Sequence, residues 1–415
     1  MKYVILHADG LCGGPRPELD GRTPLQAAVT PHLDRLAQSG ELGPIVIPGD
    51  DLHPASEVTA MALLGYDPRK YYTGPAPLEA ASLGVAVGEH DVVFCCTMVT
   101  LGVESPHNAH ARDLDVKKLG PQLVMEDATA GAIETEQARE LIDVMNEQLG
   151  SETIQFYPGS GHRHLMVWVG GKARALCVDP QHVVGRTVGE YLPSGDGADT
   201  LRKLMDASIV ILRDHPVNEE RRSDGLKPAN CLWLWGQGRA SEWPTIAERY
   251  SLNGAFITGS EVHRGVGLCA GLNPVEVTSE RGAETSLYEP YRATVERELS
   301  RHDLLYVHAG LPDDVLQGHD LKRRVQAIEE YDRDLVGPLL RLLERQPAFR
   351  LLVICHSASS AGPSQTSTPV FYVLCESPLR TRAAGKGFNE IDATAGSAPP
   401  REATKILPKV LSRGT

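Results

Sequence analysis

No stretch of the 415-residue chain approaches the roughly 18 consecutive apolar residues that a membrane-spanning helix needs, so no bilayer crossing is expected. The opening MKYVILHADG has one lysine, a short apolar run and then Asp9. It is too short for a secretory leader and reads better as a first strand. Positive charge is in deficit, with 41 Lys and Arg against 54 Asp and Glu, for a net charge of −13. That argues against general binding to nucleic acid or to anionic membrane surfaces, although a local basic pocket can still serve an anionic small molecule. Cys-x-x-Cys pairs are absent. The eight cysteines are scattered over positions 12, 95, 96, 177, 231, 269, 355 and 375, which reads as reduced thiols of a cytoplasmic protein and not as a disulfide framework. There is no internal repeat.

What is present is ordinary for a globular chain, with 41% hydrophobic and 23% charged residues. The length points to two domains, or to one large domain carrying an insertion. Apolar runs predict strands at 3–6, 43–49, 91–100, 161–171, 230–238, 253–259, 303–310, 351–355 and 369–375. Thr30 and Pro31 predict a helix over 31–38, and Ser56 in N-cap position predicts one over 56–65. Further helices are expected at 134–150, at 197–212 and, as one long amphipathic element, over about 321–342. Residues 102–123 read as a polar loop and 380–405 as a loose surface arm. Strand, helix and strand in alternation give an α/β fold with a doubly wound, mostly parallel sheet.

In such a sheet, strand C-terminal ends converge on one edge and carry the site. Asp9 ends the first strand, Asp313 or Asp314 with His319 follows the 303–310 strand, and Cys355-His356 ends the 351–355 strand. Ser56, at a helix N-terminus, stands where the dipole favours an alkoxide or a bound phosphate. Carboxylate, imidazole and hydroxyl groups suit a hard or borderline divalent metal. Taken singly, Ser56 reads as a plain cap, His356 as a loop histidine and Asp9 as a turn residue; only their joint placement favours chemistry.

Long strings carry a resemblance: GRTPLQAAVTPHLDRLAQSG, SEVTAMALLGYDPRKYYTG, DATAGAIETEQARELI, HPVNEERRSDGLKPANCLWLWGQG and HDLLYVHAGLPDD. The chain resembles, nearly end to end, the archaeal-type cofactor-independent phosphoglycerate mutases of the alkaline phosphatase superfamily. The resemblance implies an alkaline-phosphatase-like domain, expected at 1–88 and 225–415, with a smaller α+β substrate domain inserted at 89–224. It implies a soluble, glycolytic isomerase that interconverts 3- and 2-phosphoglycerate through a phosphoserine. It also implies two divalent metals, Ser56 as nucleophile, and Asp9, Ser56, Asp313, His319 and His356 among the ligands. Its partner is a phosphorylated small molecule, with no nucleic acid and no membrane.

The chain departs from the family pattern at several of these places. Glu57 stands where the family shows Asp. Cys355 replaces an Asp, and Gln365 or Thr366 replaces a His. Thiolate and imidazole suit zinc better than manganese, so fewer than two ions, with zinc favoured over manganese, are expected. On the substrate side, Pro75 and Cys95 stand where the family has arginines. Arg163, Arg222 (or its neighbour Arg221) and Arg264 remain as candidate clamps for phosphate or carboxylate. The competing readings are a single-metal phosphatase or phosphotransferase acting on another substrate, and a non-catalytic relative with a degenerate metal site.

Overall fold

The computed structural model describes residues 1–49, 55–103, 118–277, 286–312, 315–316, 318, 320–357, 370–395 and 398–412. The chain divides into two compact units, residues 1–72 with 242–415, and residues 73–241. The described strands are β1 (Lys2–Cys12), β2 (Glu41–Val46), β3 (Val92–Val103), β4 (Leu123–Asp127), β5 (Ile154–Tyr157), β6 (Arg163–Trp168), β7 (Cys231–Gly238), β8 (Gly254–Thr258), β9 (Asn273–Glu276), β10 (Leu304–Gly310), β11 (Phe349–Ser357), β12 (Phe371–Glu376) and β13 (Arg401–Glu402).

The first unit is built on an eight-stranded sheet in the order β13-β2-β12-β11-β1-β10-β8-β9. From β11 to β9 all neighbours are parallel; β12 pairs antiparallel with both β11 and β2. Strands in the middle of a parallel sheet are covered on both faces and must be apolar throughout. The runs Val4–Leu6, Leu304–Val307 and Leu351–Ile354 meet that demand and are fully buried.

Helices in this unit obey less local rules. The helix Pro31–Ser39 starts where expected, yet Thr30 makes no side-chain cap. The amides of His32 and Leu33 donate instead to the Asp332 carboxylate, at 3.1 and 2.7 Å, so the cap comes from 300 residues away. Asp332 lies in a π turn, Asp332–Val336, that joins two α-helices, Leu321–Tyr331 and Gly337–Glu344. The long helix expected there thus runs on without a break but is widened by that one turn. Pro338 lacks the N–H a regular α-helix would need, and the wider turn accommodates that gap.

The expected loose arm is also anchored. Phe388, Ala393 and Ala403 are buried, Glu390 accepts bonds from Gly13 N and Thr23 Oγ1 at 2.9 and 2.8 Å, and Arg401 reaches Glu41. Its small residues allow close packing and do not signal disorder.

The second unit has an antiparallel sheet centred on β3, which pairs with β4, β6 and β7, while β5 pairs with β6. The helices Thr135–Leu149 and Ala198–Arg213 bury one face each, through Leu141, Ile142 and Met145 and through Leu201, Met205 and Leu212. The unit is larger than the expected 89–224. β7 pairs with β3 from Val93 to Val99, and the helix Pro75–Leu83 packs Ala76 and Ala80 against Val93 and Cys95. Both segments had been assigned to the other domain.

Candidate active site

Successive side chains on a strand point to opposite faces. On β1 that puts His7 and Asp9 on one face. Register then fixes their neighbours: His7 lies opposite His308 on β10, and Asp9 lies opposite His356 on β11. His356 Nδ1 approaches Asp9 Oδ1 at 3.3 Å, and His308 Nε2 lies 3.6 Å from Asp9 Oδ2. His7 sits against both histidines, with ring centroids 5.2 Å from His308 and 5.9 Å from His356.

The same alternation removes Cys355 from this group. Cys355 is paired with Ala8 in register and is fully buried in the apolar cluster that contains Val4, Leu6 and Cys12. It is joined to Cys12 by a disulfide. The expectation of a Cys355 thiolate beside His356 is therefore overturned: adjacent residues on a strand face opposite ways. The other six cysteines are not disulfide-bonded. Asp313, Asp314 and His319, and the Gln365 and Thr366 positions, lie outside the described residues.

Ser56 is buried and is the first residue of the helix Ser56–Leu63, whose N-cap is Ala55. A capping serine would turn its oxygen onto its own helix. Ser56 Oγ instead meets His263 Nε2 at 3.0 Å. His263 belongs to the helix Glu261–Cys269, and its Nδ1 meets Ser260 Oγ at 2.9 Å. The His263 ring stacks on His308, with centroids 3.6 Å apart and planes 11° from parallel. Thr258, the last residue of β8, holds His308 Nδ1 at 3.1 Å, and Tyr306 holds His7 Nδ1 at 3.0 Å. Ser56, Asp9 and His356, three of the residues expected from sequence, are thus brought together through three histidines that sequence reasoning did not place in the site.

Burial and mutual charge set the protonation of this group. Burial would raise the Asp9 carboxyl, but hydrogen bonds from His308 and His356 outweigh it and hold the group well below its ordinary range. Burial, then the neighbouring His308, pushes both His7 and His263 well below the ordinary histidine value. His7 and His263, kept neutral, each leave a ring lone pair available as an acceptor or ligand.

The arginine candidates fare differently. Arg163 on β6 forms an ion pair with the buried Glu79. Arg221 is structural: it is buried and donates to Lys227 O at 2.9 Å, Gln137 at 2.7 Å and Ala130 O at 2.6 Å. Arg222 is exposed and bonds Arg213 O at 2.9 Å. Arg264 is next to His263 and lies 4.0 Å from Glu261.

The family described as 2,3-bisphosphoglycerate-independent phosphoglycerate mutase matches residues 37–218. The probable enzyme of that name from Geobacter sulfurreducens is 36% identical over 100% of both chains. The chain belongs to the 2,3-bisphosphoglycerate-independent phosphoglycerate mutase family. A second mutase of Methanothermobacter thermautotrophicus is 39% identical over 98% of this chain and 96% of its own. Two solved structures share the fold. One, from Pyrococcus horikoshii, has a TM-score of 0.72 at 21% identity, covering 99% of this chain and 96% of its own. The other, the cofactor-independent phosphoglycerate mutase of Thermoplasma acidophilum, has a TM-score of 0.57 at 24% identity, covering 99% of both.

Members of this mutase family are metal-dependent. Asp9 and His356 are together and lie beside His7, His263 and His308, carboxylate and imidazole donors of the kind that hold a divalent metal. No described helix is long and apolar enough to cross a membrane.

Proposed function

We propose that this chain interconverts 3- and 2-phosphoglycerate by way of a phosphoserine at Ser56. The observation that carries the reading is the hydroxyl itself. Ser56 Oγ is at a helix N-terminus, is not used as a cap, and is held 3.0 Å from His263 Nε2. The free N–H groups of that first turn face a transferred phosphoryl group with positive partial charge.

In the forward direction Oγ forms a bond to phosphorus as the bond from phosphorus to the substrate 3-oxygen breaks. Ser56 loses a proton and the departing alcohol gains one. The glycerate then presents its 2-hydroxyl, which takes the phosphoryl group and loses its proton, while Ser56 regains one. Over the cycle, protons and phosphate balance and no water is consumed. His263 fixes the direction of Oγ. Asp9 and His356 are the residues that would hold a divalent ion beside it, with Asp313 and His319 as further proposed ligands. When bound, such an ion adds positive charge that favours the alkoxide and offsets phosphoryl charge. Arg264 is proposed to meet the phosphate or carboxylate of the substrate, and Arg163 would do so only by leaving Glu79.

That pairing of Arg163, with Pro75 and Cys95 in place of arginines, favours a second reading in which the chain hydrolyses another phosphomonoester. Phosphorus NMR separates the two. Incubation of the purified chain with 3-phosphoglycerate is expected to produce the 2-phosphoglycerate resonance, and the S56A variant to produce none. Inorganic phosphate without 2-phosphoglycerate supports hydrolysis, and undiminished turnover by S56A rules out the phosphoserine route.

A further inference from the structure

His7, His263 and His308 come from two strands and a helix far apart in sequence, yet one ring nitrogen of each lies within 4.8 Å of the others. All three are buried. We propose that these three histidines form a binding site for one borderline divalent cation, with zinc preferred over manganese, in addition to the ligands that the family resemblance implies.

Three observations point to a ligand. First, each ring is anchored through its Nδ1 by a hydroxyl: His7 by Tyr306, His263 by Ser260 and His308 by Thr258, at 3.0, 2.9 and 3.1 Å. Anchoring one imidazole nitrogen by a neighbour is how a protein aims the other at a metal. Second, Nε2 of His7 is buried without a hydrogen-bond partner among the described residues. An unsatisfied buried polar atom is costly, and this one stands in a core that packing alone would fill with apolar groups. Third, the Asp9 carboxylate, 3.6 Å from His308 Nε2, supplies the negative charge that a divalent ion among neutral ligands requires.

The donor set decides the ion. Three imidazoles bind zinc in preference to manganese or magnesium, which take oxygen ligands. The His263 lone pair that now meets Ser56 is the one an ion would take, which places Ser56 Oγ next to the ion. The site thus ties cation binding to the nucleophile of the proposed reaction, but its test does not depend on that reaction.

The full-length protein, stripped with a chelator, is titrated with zinc against a chromophoric competitor and separately with cobalt, whose visible absorption reports coordination by nitrogen. One equivalent of zinc is expected, bound at least tenfold more tightly than manganese. H7N and H308N are each expected to lower zinc affinity by at least roughly tenfold. Because a core variant can misfold, nitrogen-15 NMR of histidine-labelled wild-type protein provides the second measurement: zinc is expected to shift the Nε2 resonances of His7, His263 and His308. Absence of stoichiometric binding, unchanged affinity in folded H7N and H308N, or zinc shifts confined to other histidines would overturn the proposal.

Discussion

Ser56 Oγ and His263 Nε2, 207 residues apart in sequence, meet at 3.0 Å inside the first unit. Replacing His263 by Asn removes that Nε2 partner while leaving Ser56 in place. If His263 only orients the hydroxyl, H263N is expected to lower kcat by roughly a hundredfold with KM changed by less than a few-fold. A purely structural role would instead lower the fraction of folded enzyme and leave the kcat of the remainder intact. Steady-state kinetics with active-site titration separates the two.

Cys355 makes a sharper case. The resemblance suggests that Asp at this position would restore a metal ligand. In the structure the side chain faces the apolar cluster on the other side of the sheet. C355D is therefore expected to bury a carboxylate without a partner and to destabilise the protein by about 3 kcal/mol or more. Manganese affinity is not expected to rise. Urea denaturation and a manganese titration of the same preparation check both halves.

The second unit should be sensitive to acid. Burial, then the charge of Arg163, pushes His162 down to about 4. Burial, then the charge of His162, pushes His164 down to about 3. An unfolded chain takes up these protons as pH falls through about 6.5, while the folded chain refuses them. Stability is therefore complete above pH 6.5 and falls as pH drops towards 3 to 4, by up to about 1.4 kcal/mol per unit for each histidine. His164 Nδ1 accepts from Gly159 N at 3.0 Å, so H164N retains an acceptor. It is expected to flatten the pH dependence of the urea midpoint between pH 4 and 6.5. Trp168, Trp233 and Trp235 all belong to this unit, so tryptophan fluorescence follows its unfolding.

Arg221 and Arg222 are neighbours with opposite roles. R221M removes three hydrogen bonds and leaves the buried carbonyl oxygen of Ala130, and the part-buried one of Lys227, short of a donor. The expected cost is about 3–5 kcal/mol of stability. R222A, on an exposed side chain, is expected to change stability by less than about 0.5 kcal/mol. Thermal melts of the two variants provide the comparison.

The framework was legible because central parallel strands are long apolar runs and their C-terminal ends are where polar groups appear. Asp9 and His356 came from that logic alone. His7 and His308 were equally accessible: each lies on a strand already recognised, and His7 precedes Asp9 by the two residues that share a face. They were passed over because a histidine inside an apolar run reads as core. His263 needed the tertiary fold to bring its helix to Ser56. Cys355 was misjudged because adjacency in sequence was taken as adjacency in space, which a strand forbids. The domain boundary failed for a related reason. β7 reads as one more buried strand, and nothing local says which of two sheets it joins.

The most direct test of the account is an acid quench of the enzyme during turnover of 3-phosphoglycerate, followed by mass spectrometry of the peptide that contains Ser56. A phosphoryl group on Ser56 that appears only with substrate is the predicted result. Turnover with Ser56 unmodified at every time point, or a phosphoryl group on a different residue, would contradict it.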